Sequence, residues 1–275
     1  KNYMLRREKN RDELNLPQLI NKTSNIEWGS VEEMEKSKLF HQKFGDLSNS
    51  NSTLNDLYYS MNTNHLVATL HARMVCISPA LLKNKSNKIY DTNIELFDET
   101  NEEFLNSTTK LREVSRTVAK NMVDYPSNKK LIFCHFHKEM EIIQLELYSY
   151  NIQAEIYSGK LSTKQRERLL NNSPDVLLVQ INSGSEGLNL QQYNEVYFVS
   201  PTWNPSLEAQ ALARCYRMGQ TKDTYVYRFY MNNFPVPQTD EMENFEENKT
   251  MDQVIQERQE EKLKVVDRMF SICNN

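Results

Sequence analysis

The sequence comprises 275 residues, of which 39% are hydrophobic and 25% are charged, and its formal net charge is −4. A chain of this length can bury a full-sized core and still carry additional segments. The acidic balance excludes a protein that coats nucleic acid through overall positive charge, so any contact with nucleic acid has to come from a local surface.

Cysteine usage and hydropathy indicate an intracellular protein. The four cysteines lie far apart and form no C-x-x-C pair, which is typical of reduced thiols. Cys134, His135 and His137 could be grouped as metal ligands, but the end of a strand explains them more simply, and we predict no metal site. The sequence shows no signal peptide and no apolar run of about 20 residues, so we expect neither secretion nor a membrane partner.

The first 130 residues differ in character from the rest of the chain. They begin rich in Lys and Arg, become rich in Asn and Ser around residues 47–55, and contain a helical pattern at residues 67–76. A polar stretch at residues 98–109 predicts a linker, which leads into a helix predicted at residues 111–122.

From Lys130 onward, short apolar runs alternate with amphipathic stretches, and this alternation predicts a parallel sheet flanked by helices. The predicted strands lie at residues 131–134, 154–157, 176–181, 196–200 and 224–229. The predicted helices between them lie at residues 138–150, 162–171 and 206–218. Two prolines after Phe234 end the sheet, and a Glu-rich run precedes a charged helix predicted at residues 251–269.

Two of these helices carry start signals. Ser162 is followed three residues later by Gln165, a capping-box spacing that predicts a helix from Thr163. Pro205 and Ser206 mark the entry of the next helix in the same way.

The strongest candidate for chemistry lies within residues 210–220. Gln210, Arg214 and Arg217 are spaced four and three residues apart, so a continuous helix would place all three side chains on one face. Two guanidinium groups on one face can hold phosphate oxygens while charge develops during phosphoryl transfer. The alternative is a pair of solvated arginines on an exposed helix.

A second candidate is the run 180–190, where a predicted strand leads directly into a Gly-x-x-Gly turn formed by Gly184 and Gly187. Glycines at these positions allow backbone N–H groups to point toward a ligand. Polar groups for a ribose or a phosphate come from Ser183, Ser185 and Glu186. By itself, such a turn is also typical of an ordinary loop.

Two further segments follow predicted strands, and the carboxyl ends of strands are where open parallel sheets bind ligands. The first is Tyr157-Ser158-Gly159-Lys160. The second contains Trp203 between two prolines, and its indole could stack on a base or sugar for roughly 1–3 kcal/mol. Packing of the indole under its own loop is the alternative.

In this order the segments resemble the C-terminal RecA-like lobe of SWI/SNF-family ATPases, which belong to helicase superfamily two. Trp203-Asn204-Pro205 is typical of this family rather than of RNA helicases. The flanks resemble the family near residues 4–17, 70–82 and 250–262, whereas residues 23–60 match poorly. The central motifs that carry the resemblance are residues 131–136, 157–166, 183–190 and 210–220.

The resemblance implies a fold and a domain organisation. The fold is expected to be α/β, with a RecA-like parallel sheet flanked by helices on both faces, a mostly helical N-terminal extension and a C-terminal bracing helix. The expected divisions are a segment leaving the first ATPase lobe, a helical protrusion with a linker, the RecA-like lobe, and an acidic stretch with the bracing helix. In order, they cover residues 1–22, 23–107, 108–235 and 236–275.

The resemblance also implies roles for individual residues. Arg214 and Arg217 resemble the family's arginine fingers, Gln210 resembles their helix partner, and the turn 184–187 would face the nucleotide. Tyr216 departs from the family, in which an imidazole is common at that position. The implied DNA-binding residues are Ser158, Gly159, Lys160, Ser183, Asn189 and Trp203.

The sequence contains no G-x-x-x-x-G-K-[ST] motif and no Asp-Glu pair in a Walker B-like strand. The resemblance therefore implies an ATP hydrolase in which ATP and Mg²⁺ are held mainly by a first lobe outside this sequence, and the chain alone is expected to be inactive. Expected partners are that lobe and double-stranded DNA, with nucleosomes or a transcription complex as candidates. The expected location is the nucleus or a viral replication or transcription compartment, and the abundance of asparagine hints at a large DNA virus or another AT-rich genome.

Two alternatives stay open at this point. One is a non-catalytic RecA-like module that binds nucleic acid or protein, and the other is an RNA helicase lobe. The residues upstream of Lys1 would discriminate the first alternative, because a motor needs a P-loop there.

Overall fold

The computed structural model describes residues 15–49, 63–82, 108–184, 188–235 and 248–273. The elements in chain order are β1 (Leu19–Ile26), α1 (Val31–Asn49), α2 (Thr63–Ile77), a 3₁₀ turn (Pro79–Leu82), α3 (Thr109–Asp124), β2 (Lys129–Cys134), α4 (His137–Ser149), β3 (Ala154–Tyr157), α5 (Thr163–Asn172), β4 (Val176–Gln180), the one-turn α6 (Ile181–Gly184), β5 (Tyr193–Phe198), α7 (Pro205–Leu212), β6 (Thr224–Met231) and α8 (Met251–Cys273).

Six strands form one sheet in the order β1-β6-β5-β2-β4-β3. β2 is parallel to β4 and β5, β4 is parallel to β3, and β5 is parallel to β6. The five predicted strands are confirmed, with ends that differ by up to three residues. The sixth strand, β1, was not predicted, and it continues across the expected division after residue 22.

Burial explains why the central strands were recognisable in the sequence and β1 was not. Every residue of β5 is buried, as are all but one in β2 and in β4, and each strand contains an uninterrupted apolar run, at residues 196–198, 131–134 and 176–179 respectively. β1 is the edge strand beside β6 and exposes most of its polar residues. The buried cluster around the central strands is formed by Leu131, Phe133, Tyr157, Leu177, Val179, Ile181, Leu190, Tyr193, Val196, Phe198, Ala211, Cys215 and Val226.

The helices follow the strand order. The chain moves outward from β2 to β3 and then back to β4, and because parallel crossovers are right-handed, α4 and α5 belong on opposite faces of the sheet. The predicted capping box is confirmed, since the Ser162 hydroxyl accepts from Gln165 N and the Gln165 side chain accepts from Ser162 N at 2.9 Å. Asn204 caps α7 and Pro205 is its first residue.

The predicted C-terminal helix is confirmed and extends further, to Cys273. The predicted helices at residues 67–76 and 111–122 correspond to α2 and α3, each somewhat longer than expected. Most of the predicted linker, residues 98–107, and the Asn/Ser-rich residues 50–55 lie outside the described residues. No helix in the described part of the chain is both long enough and apolar enough to span a bilayer.

The chain divides into two compact units. The first comprises Lys1–Ser24, Val114–Phe229 and Ile255–Asn275, and it holds most of the sheet. The second comprises Asn25–Glu113 and Tyr230–Val254, and it contains α1, α2 and the 3₁₀ turn.

The second unit contains a buried ion pair between Lys110 and Asp252. The Lys110 Nζ to Asp252 Oδ2 distance is 2.5 Å, and both side chains are at most 1% exposed. Asp252 also accepts a hydrogen bond from Met231 N at 2.8 Å. Because an isolated buried charge is strongly unfavourable, the pair fixes the start of α8 against α3 within this unit.

His41 makes a second buried polar contact with the start of α8. Its Nε2 accepts from Met251 N at 2.8 Å, so the ring is neutral and its Nδ1 donates to Ser37 O at 2.7 Å. The ring also packs edge-on against Phe234. Burial lowers the pKa of His41 to about 4, against the opposing effects of the Ser37 hydrogen bond and of Asp252.

This shift predicts that the second unit loses stability in mild acid. The unfolded His41 binds a proton as the pH falls below 6.5, whereas the folded residue does not do so until about pH 4. Between about pH 7 and about pH 5 this difference removes about 2 kcal/mol from the free energy of unfolding. In urea titrations, His41→Phe should therefore show a smaller pH dependence than the wild type. Equal pH dependence in the two proteins would contradict the assignment.

Candidate functional site

The predicted site segments converge on the carboxyl edge of the sheet. Ser158–Lys160 follows β3, Ser183 lies in α6 directly after β4, and Trp203 lies in the loop after β5. These strands belong to the consecutive order β5-β2-β4-β3, so their loops share one edge.

Polar side chains link the strand ends along this edge. Gln180, at the end of β4, donates to His135 O at 3.1 Å. His135, just after β2, is in turn hydrogen-bonded through its Nε2 to Ser200 O at 3.1 Å. Because a carbonyl can only accept, Nε2 of His135 carries the proton. The ends of β4, β2 and β5 are thus held together by side-chain hydrogen bonds as well as by the backbone hydrogen bonds of the sheet.

The turn after β3 is shaped by Arg166. Its guanidinium donates to Gly159 O at 3.0 Å and lies 5.8 Å from the centre of the Tyr157 ring. Ser158 is 3% exposed, and its hydroxyl accepts from Lys160 N at 3.4 Å. The hydroxyl of Ser158 is therefore used within the turn, and the exposed groups are Gly159 and the Lys160 ammonium.

The segment after β4 is partly described. Ser183 is half-buried in α6, and Asn189 is exposed, with its side-chain oxygen accepting from Gln191 N at 3.4 Å. Gly184 ends α6. The predicted nucleotide-facing residues Ser185, Glu186 and Gly187 lie outside the described residues.

The arginines do not lie on a continuous helix, which corrects the prediction for residues 206–218. α7 ends at Leu212, so Gln210 is helical whereas Arg214 and Arg217 lie in the turns that follow. Those turns are closed by hydrogen bonds between residues three apart, from Arg214 N to Ala211 O at 3.1 Å and from Gln220 N to Arg217 O at 3.0 Å. Arg214 is half-buried and Arg217 is exposed.

Packing explains why the helix stops. Cys215 is fully buried and Tyr216 is 5% exposed, with its hydroxyl donating to Pro17 O at 2.8 Å. Arg214 O accepts from Leu190 N at 3.1 Å, so this carbonyl is bonded to the glycine segment, the run of residues 180–190. The arginine segment and the glycine segment are therefore joined by a direct backbone hydrogen bond.

Gln220, which is 6% exposed, strengthens this junction. Its amide nitrogen donates to Gln191 O at 2.9 Å and is also close to Tyr193 O and Cys215 O, while its oxygen accepts from the next two backbone N–H groups. Gly219 precedes it with φ +95°, and a Cβ there would come within 3.2 Å of the Gln191 side chain. The sequence marked Gln220 only as the end of a motif, and its bonding role has no local signal.

The Trp203 loop has an ordered conformation. Trp203 is partly exposed, which favours neither of the two alternatives weighed for it, and the Thr202 hydroxyl donates to Asn204 O at 2.7 Å. Three side chains hold this loop, Glu208, Gln259 and Lys262. Gln259 and Lys262 belong to the segment that resembles the bracing helix, but the sequence did not predict their contact with the loop, and it gave no signal for Glu208.

The grouping of Cys134, His135 and His137 is not arranged for a metal. Burial and the neighbouring Glu139 carboxylate raise the pKa of the Cys134 thiol well above its usual value, as expected for a thiol in the core. Within the described ranges, no three His, Cys, Asp or Glu side chains are placed to hold an ion.

Residues 110–219 match the family described as helicase conserved C-terminal domain. The chain is 40% identical over 109 residues to the DNA repair protein RAD5 of Yarrowia lipolytica, which covers 38% of this chain and 11% of that protein. It is 29% identical over 204 residues to a probable global transactivator of Orgyia pseudotsugata multicapsid polyhedrosis virus, covering 72% of this chain and 36% of the viral protein. The chain thus spans between about a tenth and about a third of the length of these relatives.

Two solved structures share the fold. The C-terminal part of the Fun30 ATPase domain superposes with a TM-score of 0.56 at 16% identity, covering 90% of this chain and 99% of that structure. The Sulfolobus solfataricus SWI2/SNF2 ATPase core in complex with dsDNA superposes with a TM-score of 0.58 at 19% identity, covering 79% and 42% respectively. The RecA-like α/β fold expected from the resemblance is therefore confirmed.

The bonding of Gln220 predicts that Gln220→Leu is strongly destabilising. The substitution leaves buried carbonyls without a donor and two N–H groups without an acceptor, which should lower the free energy of unfolding by about 3 kcal/mol. The matched control is Gln210→Leu on the exposed face of α7, with an expected change within about 0.5 kcal/mol. Equal urea midpoints for the two variants would contradict the role given to Gln220.

Proposed function

We propose that this chain, whose residues 110–219 match the helicase conserved C-terminal domain, serves as the second lobe of a SWI2/SNF2-type ATP-dependent double-stranded DNA translocase. The observation that carries the proposal is the hydrogen bond from Leu190 N to Arg214 O, which brings the glycine segment and the arginine segment together within the matched domain. A nucleotide wall needs both components, phosphate-facing backbone and cationic side chains.

In this proposal Arg214 and Arg217 act as arginine fingers on the γ-phosphate. Gln210, two residues before the end of α7, is their polar neighbour, and residues 184–187 face the nucleotide. The phosphates and Mg²⁺ would be held mainly by a first RecA-like lobe, since these 275 residues contain no P-loop. The half-buried Arg214 is suited to an ordered contact, whereas the exposed Arg217 is free to reach across a cleft toward that lobe.

The carboxyl edge supplies the proposed DNA contacts. Gly159 and Lys160 expose backbone and an ammonium group, Ser183 and Asn189 offer polar groups, and Trp203 offers a flat apolar surface. Ser158 would contribute by shaping its turn. These are contacts to phosphate and sugar, so the proposed grip follows the duplex without reading its sequence. The SWI2/SNF2 core of the same fold was solved with dsDNA bound, which supports duplex DNA as the partner.

The proposed location follows from the same relatives. A DNA repair protein and a viral transactivator are consistent with the nucleus or with a viral replication or transcription compartment. Nucleosomes and transcription complexes are candidate substrates of the full-length protein.

The finger assignment is tested in the full-length protein by DNA-stimulated ATPase measurements. Arg214→Ala and Arg217→Ala should each lower the turnover number by about 10³ or more, because charge on the transferred phosphoryl group is no longer neutralised. Arg258→Ala is the matched control, since Arg258 is exposed and pairs with Glu261 on the surface of α8. The 275-residue chain alone should show no turnover. Near-normal activity of Arg214→Ala would remove the assignment.

The choice of nucleic acid is tested by comparing activators. Duplex DNA should stimulate the wild-type ATPase and single-stranded RNA should not, and Trp203→Ala should raise the duplex concentration for half-maximal stimulation about tenfold through lost stacking. Stronger activation by RNA would favour the RNA helicase alternative. No activation by either polymer, with an intact first lobe, would favour a non-catalytic module.

A further inference from the structure

Glu208 on α7 is a buried carboxylate, 6% exposed, with hydrogen-bond donors on both oxygens. Its Oε1 accepts from Thr202 N at 3.0 Å and from Gln259 Nε2 at 2.9 Å. Its Oε2 accepts from Arg228 Nε at 3.2 Å. One carboxylate therefore joins the Trp203 loop, α8 and β6 within the first unit. Buried charges of this kind are retained only where their partners are fixed.

Helix α8 contacts the same loop through two residues on one face. Gln259 Nε2 donates to Thr202 O at 2.6 Å, and Lys262 Nζ donates to Trp203 O at 2.7 Å. Residues three apart on a helix face the same side, so α8 holds two consecutive carbonyls of the loop. The Gln259 amide has two hydrogens, and the loop carbonyl and Glu208 use both.

Arg228 anchors the other side of this cluster. Its guanidinium donates to Asn21 Oδ1 at 2.9 Å and lies 5.3 Å from the centre of the Phe198 ring. Both contacts come from strands of the sheet, so the position of Glu208 is set by the rigid core and not by the loop. The loop conformation then follows from the bonds that Glu208 and α8 make to it.

We infer that Gln259, together with Glu208, is a positioning residue that holds the Trp203 loop in the conformation that engages DNA. The inference rests on the proposed role of Trp203. Gln259 itself is 9% exposed and touches no DNA in this scheme. Helix α8 would thus contribute to DNA affinity through the loop. Loss of the contacts between α8 and the loop would weaken the affinity for duplex DNA without altering the chemistry at the nucleotide.

The test uses Gln259→Leu in the full-length protein, with Gln256→Leu as the matched control. Gln256 lies about one turn earlier on α8 and donates a hydrogen bond to Glu260 Oε1 at 3.5 Å, on the same helix. For Gln259→Leu we expect the duplex concentration for half-maximal ATPase stimulation to rise about tenfold, the loss expected for a hydrogen bond to a charged group. Turnover at saturating duplex and the KM for ATP should stay within about twofold. Gln256→Leu should behave as the wild type.

A double-mutant cycle separates positioning from general destabilisation. In the Trp203→Ala background, Gln259→Leu should produce no further rise, because the group that it positions is already gone. If Gln259→Leu raises the half-maximal duplex concentration equally in both backgrounds, the inference is overturned. It is also overturned if Trp203→Ala raises this concentration and Gln259→Leu alone does not. If Trp203→Ala alone has no effect, the DNA role of Trp203 and this inference both fail. Glu208→Gln, if it folds, should reproduce the rise seen with Gln259→Leu.

Discussion

The hydrogen bond between Leu190 N and Arg214 O fixes the two segments that form the proposed nucleotide-facing part of the candidate site. It joins two segments that are distant in the sequence, and the buried amide of Gln220 reinforces it with bonds to Gln191 and to the residues around it. A continuing α-helix would need Arg214 O for its own ladder. The bond to Leu190 and the burial of Cys215 and Tyr216 end the helix at Leu212 instead. The arginine geometry is therefore set by tertiary contacts and not by helical period.

Elsewhere along the carboxyl edge of the sheet, tertiary contacts also set the conformation of the loops. There, polar side chains form the hydrogen bonds that fix each loop. Arg166 closes the turn after β3, His135 bonds to Ser200 O, and Glu208 fixes the loop of Trp203. The turn after β3 leaves Gly159 and Lys160 exposed, and the loop after β5 leaves Trp203 partly exposed. A chain with a net charge of −4 has little general attraction for DNA, so the proposed grip depends on such locally ordered groups.

Sequence reasoning succeeded where burial imposes a simple pattern. β3 and β4 match their predicted bounds to within one residue, and the short apolar runs that predicted them are largely buried. The capping box at Ser162 is a local signal that the structure retains. β1 was missed because an edge strand can be polar and exposed. The helix through Arg217 was overextended because Ala, Leu and Arg favour helix locally and the competing contacts come from residues elsewhere in the chain.

The sequence by itself determined the α/β class, the order of strands and helices after Lys130, and which segments lie at the carboxyl edge, because these depend on hydrophobic period and local capping. It also determined that the two arginines and the two glycines of the predicted turn lie within the segment that matches one domain family. Tertiary structure alone decided that Arg214 lies beyond the end of α7 and that Gln259 contacts the Trp203 loop. It also decided that Gln220 and Glu208 are buried side chains with several hydrogen-bond partners each. A hydrogen bond between residues 57 positions apart depends on where the folded backbone places them, and no local pattern encodes that distance.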